Sequence, residues 1–208
     1  MSATASSART KRGSTRTNML ISAAEVMRER GAAGVTIDEV LARSGAPRGS
    51  VYYHFPEGRN QILTEALQYA GEAITGLIDE AASKGGMYLV RQFVAFWEQL
   101  LVESKFTAGC PVVAAAIGSS DEEPRLTTVA GNIFQHWRDA LTRAFVSDGF
   151  DESDAASLAI MCIASMEGAV VLCRSTRSVD PLRDVAAQVE FLVKSREFVR
   201  RYGLPDKG

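Results

Sequence analysis

Cysteine is scarce in this chain: Cys110, Cys162 and Cys173 are the only three among 208 residues, an odd number without paired spacing. That excludes a disulfide framework, and unpaired thiols predict a reducing, cytoplasmic setting. Histidine is scarcer, with only His54 and His136. Cys162 and Cys173 share a helical face but stand eleven positions apart. At ~1.5 Å rise per residue that is roughly 16 Å, too far to share an ion. No metal centre and no cofactor is expected. The free cysteines are expected to be buried, with Cys110, beside a turn, the one to watch for reactivity. There is no G-x-S-x-G elbow, no H-E-x-x-H pair and no phosphate-binding glycine loop, so the chain does not read as an enzyme. His136 reads as a polar group satisfied locally rather than a base. Runs of alternating polarity are missing, which excludes a sheet and leaves an all-α fold. The most apolar run, Leu158 to Leu172, is broken by Glu167 short of the ~20 residues a bilayer requires. Residues 1–13 lack the apolar core of a signal peptide. No membrane partner is expected.

With 46% hydrophobic residues, the chain can bury a large core and is too long for one small helical domain. Its charge is uneven. Residues 1–60 hold nine Lys/Arg against five Asp/Glu, while residues 61–208 hold fourteen against twenty. A basic head on an acidic body suggests that the head meets phosphates.

The stretch Thr36 to Phe55, TIDEVLARSGAPRGSVYYHF, reads as two short helices joined by a tight turn. Thr36 to Glu39 has the T-x-x-E form of a capping box. Ile37, Val40 and Leu41 recur at helical spacing, Ser44-Gly45 supplies a stop, and Pro47 suits the first turn of the next helix. Val51 and Phe55, four apart, can bury together, which turns Arg48, Gly49, Ser50, Tyr52 and Tyr53 outward. An exposed guanidinium, a hydroxyl and two adjacent tyrosines on a short helix fit the major groove of DNA, where phosphates and base edges are in reach. A solvated face on an ordinary helical protein is the alternative.

These residues, with Gly49-Ser50-Val51-Tyr52-Tyr53-His54-Phe55 as their core, resemble the DNA-binding domain of tetracycline-repressor-type (TetR-family) transcriptional regulators, over Thr15 to Leu67. The resemblance implies that Thr36, Arg48, Ser50, Tyr52, Tyr53 and His54 lie at double-stranded operator DNA, with Arg59 beside them where the next helix begins. Pro56 to Gln61 is one residue longer than the commonest family spacing.

Around this core, residues 1–14 form a Ser/Thr/Ala-rich basic arm expected to be disordered, either a solvated tail or a DNA contact. Residues 15–60 form the helix-turn-helix domain, whose first helix, from about Thr15 to Arg30, buries Leu20, Ala23, Ala24 and Met27. Residues 61–208 form a helical ligand-binding and dimerisation domain. Its helices are predicted at about 61–83, 87–103, 112–117, 124–147, 153–174 and 181–202, the last capped by Asp180. The stretch Gly109 to Gly118 resembles the C-terminal domain of the LmrA/YxaF-like branch of the family.

Phe93, Phe96, Trp97, Phe134 and Trp137 are either plain core or the walls of an apolar pocket, with space left by Cys110, Val113 and neighbouring alanines. Met161, Ser165 and Glu167 are candidates for a flexible wall and polar orienting groups. The resemblance favours the pocket and implies a small effector, largely apolar or aromatic. It also implies a homodimer, for which Ala155, Ala156, Ala159, Ile160, Ile163, Ala169 and Val170 of one helix and Val185, Val189, Leu192, Val193 and Phe198 of the next are the expected surface. The expected function is a ligand-responsive repressor released from its operator by that effector. A helical small-molecule carrier or enzyme that keeps the head without using it is the rival, and DNA binding separates the two.

Overall fold

The computed structural model describes residues 3–118 and 124–203, and all regular structure among them is helical. In order these are α1 (Ala3–Arg30), a 3-10 turn (Ala32–Gly34), α2 (Ile37–Ser44), a second 3-10 turn (Arg48–Ser50) and α3 (Val51–His54). There follow α4 (Arg59–Ala82), α5 (Gly86–Glu103), α6 (Pro111–Gly118), α7 (Pro124–Ser147), α8 (Glu152–Thr176) and α9 (Asp180–Tyr202).

Helix α1 begins at Ala3, where composition predicts a disordered arm. The segment contains no proline, and a helix already nucleated further on extends at little cost. Met1 and Ser2 lie outside the described residues. The start of α9 also differs from expectation. Val179 is its N-cap, and Asp180 is the first helical residue, its N–H donating to Ser178 Oγ at 3.1 Å. Helix α8 is capped by Asp151, whose Oδ1 accepts from the Asp154 N–H at 2.9 Å.

By contact the chain divides into two compact units, one of residues 1–74 and 110–133, the other of residues 75–109 and 134–208. Periodicity alone places a single junction after Asn60. The observed divisions fall inside α4 and α7, whose apolar stripes run on without marking where the partner changes.

The first unit has a core of Met19, Ala23, Val26 and Met27 from α1, Val40, Val51, Phe55, and Ile62, Leu63, Ala66 and Leu67 from α4. Each large side chain so buried contributes about 1.5–3 kcal/mol. Helix α6 packs on α1 and on the 3-10 turn at 32–34, burying Val112 and Ala115. At Gly71 a Cβ would meet Ile133 Cδ1 at 2.5 Å, so α4 and α7 approach there only because that residue is glycine.

In the second unit α5 packs on α8 and α9, and α8 packs along α9. Trp97, Trp137 and Phe145 are its largest fully buried side chains. Much of the surface expected for dimerisation is internal. Ala155, Ala159, Ala169 and Val170 of α8 and Val189 and Val193 of α9 are buried, because the two helices cover each other's small residues. What α8 and α9 leave exposed is Ile160, Val171, Leu172, Phe191, Phe198, Val199 and Tyr202. Helix α8, with mean hydropathy 2.0 over its most apolar window, is long and apolar enough to cross a membrane by length and composition. This corrects the expectation that Glu167 disqualifies it, since one acid within the run Leu158 to Leu172 leaves the average of the window high. In the fold α8 is a core helix, with Glu167 itself buried.

Candidate nucleic-acid interface and internal cavity

The turn between α2 and α3 is assembled from local rules. Thr36 Oγ1 accepts from the Glu39 N–H at 3.1 Å, the first half of a capping box. The Glu39 carboxylate does not complete it: it takes Arg43 Nε at 2.8 Å and lies 3.4 Å from Arg30. Arg43 also holds Glu29 of α1 through two bonds, at 3.1 and 2.7 Å. These charge-assisted bonds tie α2 to α1. The Arg43 guanidinium holds the Glu29 carboxyl below its ordinary range, and the two carboxylates raise Arg43 in turn.

Gly45 ends α2 in the left-handed region, at φ 66°, with its N–H on Leu41 O. Pro47 is extended and precedes the helical turn instead of entering it. Its carbonyl accepts from both the N–H and the hydroxyl of Ser50. The expected second helix is therefore a 3-10 turn followed by one α-turn. Over residues 48–55 Val51 and Phe55 are inside, at 1% and 0% exposure, while Tyr52 and Tyr53 stand out at 65% and 55%. His54 is half-buried, with its ring edge-on to Tyr53 at 5.0 Å. Arg48 is exposed and pairs with Asp38 at 3.1 Å. A Cβ on Gly49 would meet nothing within 4 Å, so the fold does not demand a glycine there.

Thr36, Arg48, Ser50, Tyr52, Tyr53 and His54 thus all belong to one short continuous stretch around the turn. Arg59 is different. Its Nε donates to Val35 O at 2.7 Å and its Nη2 to Ala32 O at 2.9 Å. It anchors the start of α4 to the 3-10 turn at 32–34, a structural role that the sequence reading did not give it. The longer Pro56–Gln61 connection is absorbed at Gly58, which takes φ 66°, and Gln61 Oε1 accepts from the Glu57 N–H at 3.0 Å. Arg16, which sequence reasoning did not single out, pairs with Glu65 and lies 5.1 Å from the centre of the Phe55 ring. A cation over the ring of the turn's core residue is a tertiary contact that no short motif announces.

The expected effector residues divide among several places. One cavity of about 20 Å³, in the second unit, is lined by Phe93, Trp137 and Glu167 from the expected set, with Ile78, Leu89, Val90, Leu141, Cys162, Ile163 and Met166. That volume admits about one water molecule. Phe96 and Trp97 stack beside Phe93, with Trp97 centred 6.0 Å from Phe93 and 5.4 Å from Phe96, and Phe134 is edge-on to Trp137 at 5.3 Å. These three buttress the wall rather than form it. Met161 and Ser165 line a separate open groove of about 580 Å³ between α8 and α9, with Asp184, Val185, Gln188 and Phe191. Cys110 and Val113 belong to the first unit, at α6, and not to the cavity. Both assignments assumed that α6 stays with the body that follows it in sequence.

Cys110 is buried, and so are Cys162 and Cys173. Burial pushes the Cys162 thiol up to about 12, far from the thiolate form. Trp137 Nε1 donates to Thr75 Oγ1 at 3.2 Å. His136 Nε2 lies 3.2 Å from Asp79, the local partner expected for it.

Residues 20–66 match the family described as bacterial regulatory proteins, tetR family, and residues 87–188 match the LmrA/YxaF-like transcriptional regulator C-terminal domain. The chain is 39% identical, over 86% of its length and 93% of the relative's, to an uncharacterized HTH-type transcriptional regulator of Mycobacterium tuberculosis. It is 24% identical to the HTH-type transcriptional regulator LmrA of Bacillus subtilis, covering 88% of this chain and 98% of that one. Among solved structures, a TetR transcriptional regulator from Chloroflexus aurantiacus aligns with TM-score 0.71 and 27% identity, over 88% of this chain and 96% of its own.

Proposed function

Because this chain belongs to the TetR family of bacterial transcriptional regulators, DNA-binding helix-turn-helix proteins and not enzymes, we propose that it is a cytoplasmic, ligand-responsive repressor. It binds double-stranded operator DNA as a homodimer and is released by a small, largely apolar or aromatic effector. The observation that carries the reading is the division of the recognition turn, with Val51 and Phe55 buried while Arg48, Tyr52 and Tyr53 stand exposed. Two copies are needed because one such turn spans too few base pairs to be selective. The exposed apolar residues of α8 and α9, Ile160, Phe191 and Phe198 above all, supply a surface for the second copy.

The effector works by population shift. Bound in the cavity of the second unit, it favours a dimer whose recognition turns are wrongly spaced for the operator. Fluorescence anisotropy with labelled duplex from upstream of the chain's own gene tests the reading. Saturable binding that a scrambled duplex does not compete away is expected, at a stoichiometry of two chains per site. Equal affinity for both duplexes would leave the helical carrier as the better reading. Reciprocity gives a further check, since operator must weaken effector binding by the same factor by which effector weakens operator binding.

A further inference from the structure

The two tryptophans both lie inside the second unit, each at 1% exposure, but their indole N–H groups are treated differently. Trp137 Nε1 donates to Thr75 Oγ1 at 3.2 Å. Trp97 Nε1, equally buried, has no hydrogen-bond acceptor. A donor withdrawn from water and given nothing in exchange is costly, and a phenylalanine in its place would keep the ring contacts without that cost. The indole is flanked by two other rings of α5, Phe96 edge-on at 5.4 Å and Phe93 tilted at 6.0 Å. Both are only half-buried, so neither is locked in place by packing on all sides. Phe93 is also on the wall of the cavity. It therefore borders both the empty space and the unsatisfied donor.

Taking the second unit as the effector chamber, on which this inference rests, we propose that the effector is an apolar molecule carrying one uncharged acceptor oxygen, a carbonyl or an ether, which takes the Trp97 N–H. The cavity, at about 20 Å³, must widen to admit it, and displacement of the Phe93 ring opens the way to the indole. The oxygen is uncharged because the lining includes no basic side chain to offset a negative charge, and an unpaired anion in an apolar wall is costly. The same donor supplies the switch. It is satisfied only when the ligand is seated in the widened state, which gives the ligand a preference for that state, and only such a preference can shift a population.

Titration of the full-length protein with 2-acetylnaphthalene and with 2-isopropenylnaphthalene, in which a CH2 group replaces the carbonyl oxygen, tests this. The hydrocarbon leaves water more readily at any site, so the deciding quantity is the change on Trp97→Phe. The ketone should lose about tenfold in affinity relative to the hydrocarbon in that variant. In the native chain the indole N–H resonance of Trp97, identified by its disappearance in Trp97→Phe, should move downfield with the ketone and not with the hydrocarbon. That measurement decides the matter if the variant does not fold, the remaining indole signal then being the one held by Thr75. Equal losses of the two ligands in Trp97→Phe, or ketone binding that leaves the Trp97 resonance in place, overturns the assignment and gives the N–H to a ring face of Phe93 or Phe96. If the hydrocarbon binds and the ketone does not, the chamber stands and the acceptor falls. If neither binds, both fall.

Discussion

The recognition turn and the cavity differ in readiness. The turn already displays Arg48, Tyr52 and Tyr53 outward on a backbone held by Gly45, Pro47 and the buried pair Val51 and Phe55. The cavity, at about 20 Å³, has room for about one water molecule. A preformed face binds without a reorganisation cost, whereas a cavity that must widen lowers apparent affinity by the fraction of time it is wide enough. On the proposed function, DNA binding is set by the groups on the turn, and effector binding by the work of widening the cavity.

The largest effect expected is on the inward side of the turn. Phe55→Ala removes a fully buried ring and the surface beneath Arg16, and should cost about 3–5 kcal/mol of stability. Thermal unfolding should show it, with operator binding lost as a consequence. A small fall in Tm would mean that the ring is not the pivot of the head.

On the outward side stability and binding should separate. Arg48→Ala and Tyr53→Phe should weaken operator binding by about 1–3 kcal/mol for a good base or phosphate contact. Tm should stay nearly constant, because the exposed Arg48–Asp38 pair is worth ~0–1 kcal/mol. Operator affinity should also fall steeply with salt, and Arg48→Ala should reduce that slope by about one if the guanidinium meets a phosphate. An unfolded Arg48 variant, or a flat salt profile, would erase the distinction between the two sides.

Gly49→Ala sharpens the comparison further. A methyl group there meets no protein atom within 4 Å, and the residue is not in the left-handed region, so the fold should tolerate it. Operator affinity should drop several-fold if backbone and DNA come close at this point. Unchanged affinity would mean that Gly49 stays clear of the duplex.

The smallest effect concerns acid. The folded-state pKa of Glu29 is depressed by its bonds to Arg43. Its contribution is present above the ordinary glutamate range and is lost as pH falls through the depressed value. Tm of the native chain should therefore decline in acid more than that of Glu29→Gln, which has already lost the ionised pairing at neutral pH. Parallel Tm curves down to pH 3 would show that this pair does not stabilise the head.

Legibility followed range. The cap at Thr36, the stop at Gly45 and the four-residue spacing of Val51 and Phe55 each depend on neighbours within a turn of helix, and each is found where the sequence predicts it. Pro47 is off by one position because an extended residue and a first-turn residue ask the same φ of proline. The anchoring role of Arg59 is not legible for a different reason: its partners, Ala32 and Val35, lie 27 and 24 residues away. In the body, Phe93 and Trp137 reached the cavity wall, whereas Phe96, Trp97 and Phe134 back it, and an apolar period does not distinguish the two.

By itself the amino-acid order determined that the chain is helical, where its helices broadly run, and that Arg48, Tyr52 and Tyr53 turn outward while Val51 and Phe55 turn in, because capping, turn chemistry and helical period act between residues close in sequence. Only the tertiary structure decided that α6 belongs with α1, that half of the expected dimer face lies inside, and that Glu167 stands on a cavity wall. Those outcomes depend on which distant helix covers each apolar stripe, and burial is a property of that pairing, not of the stripe.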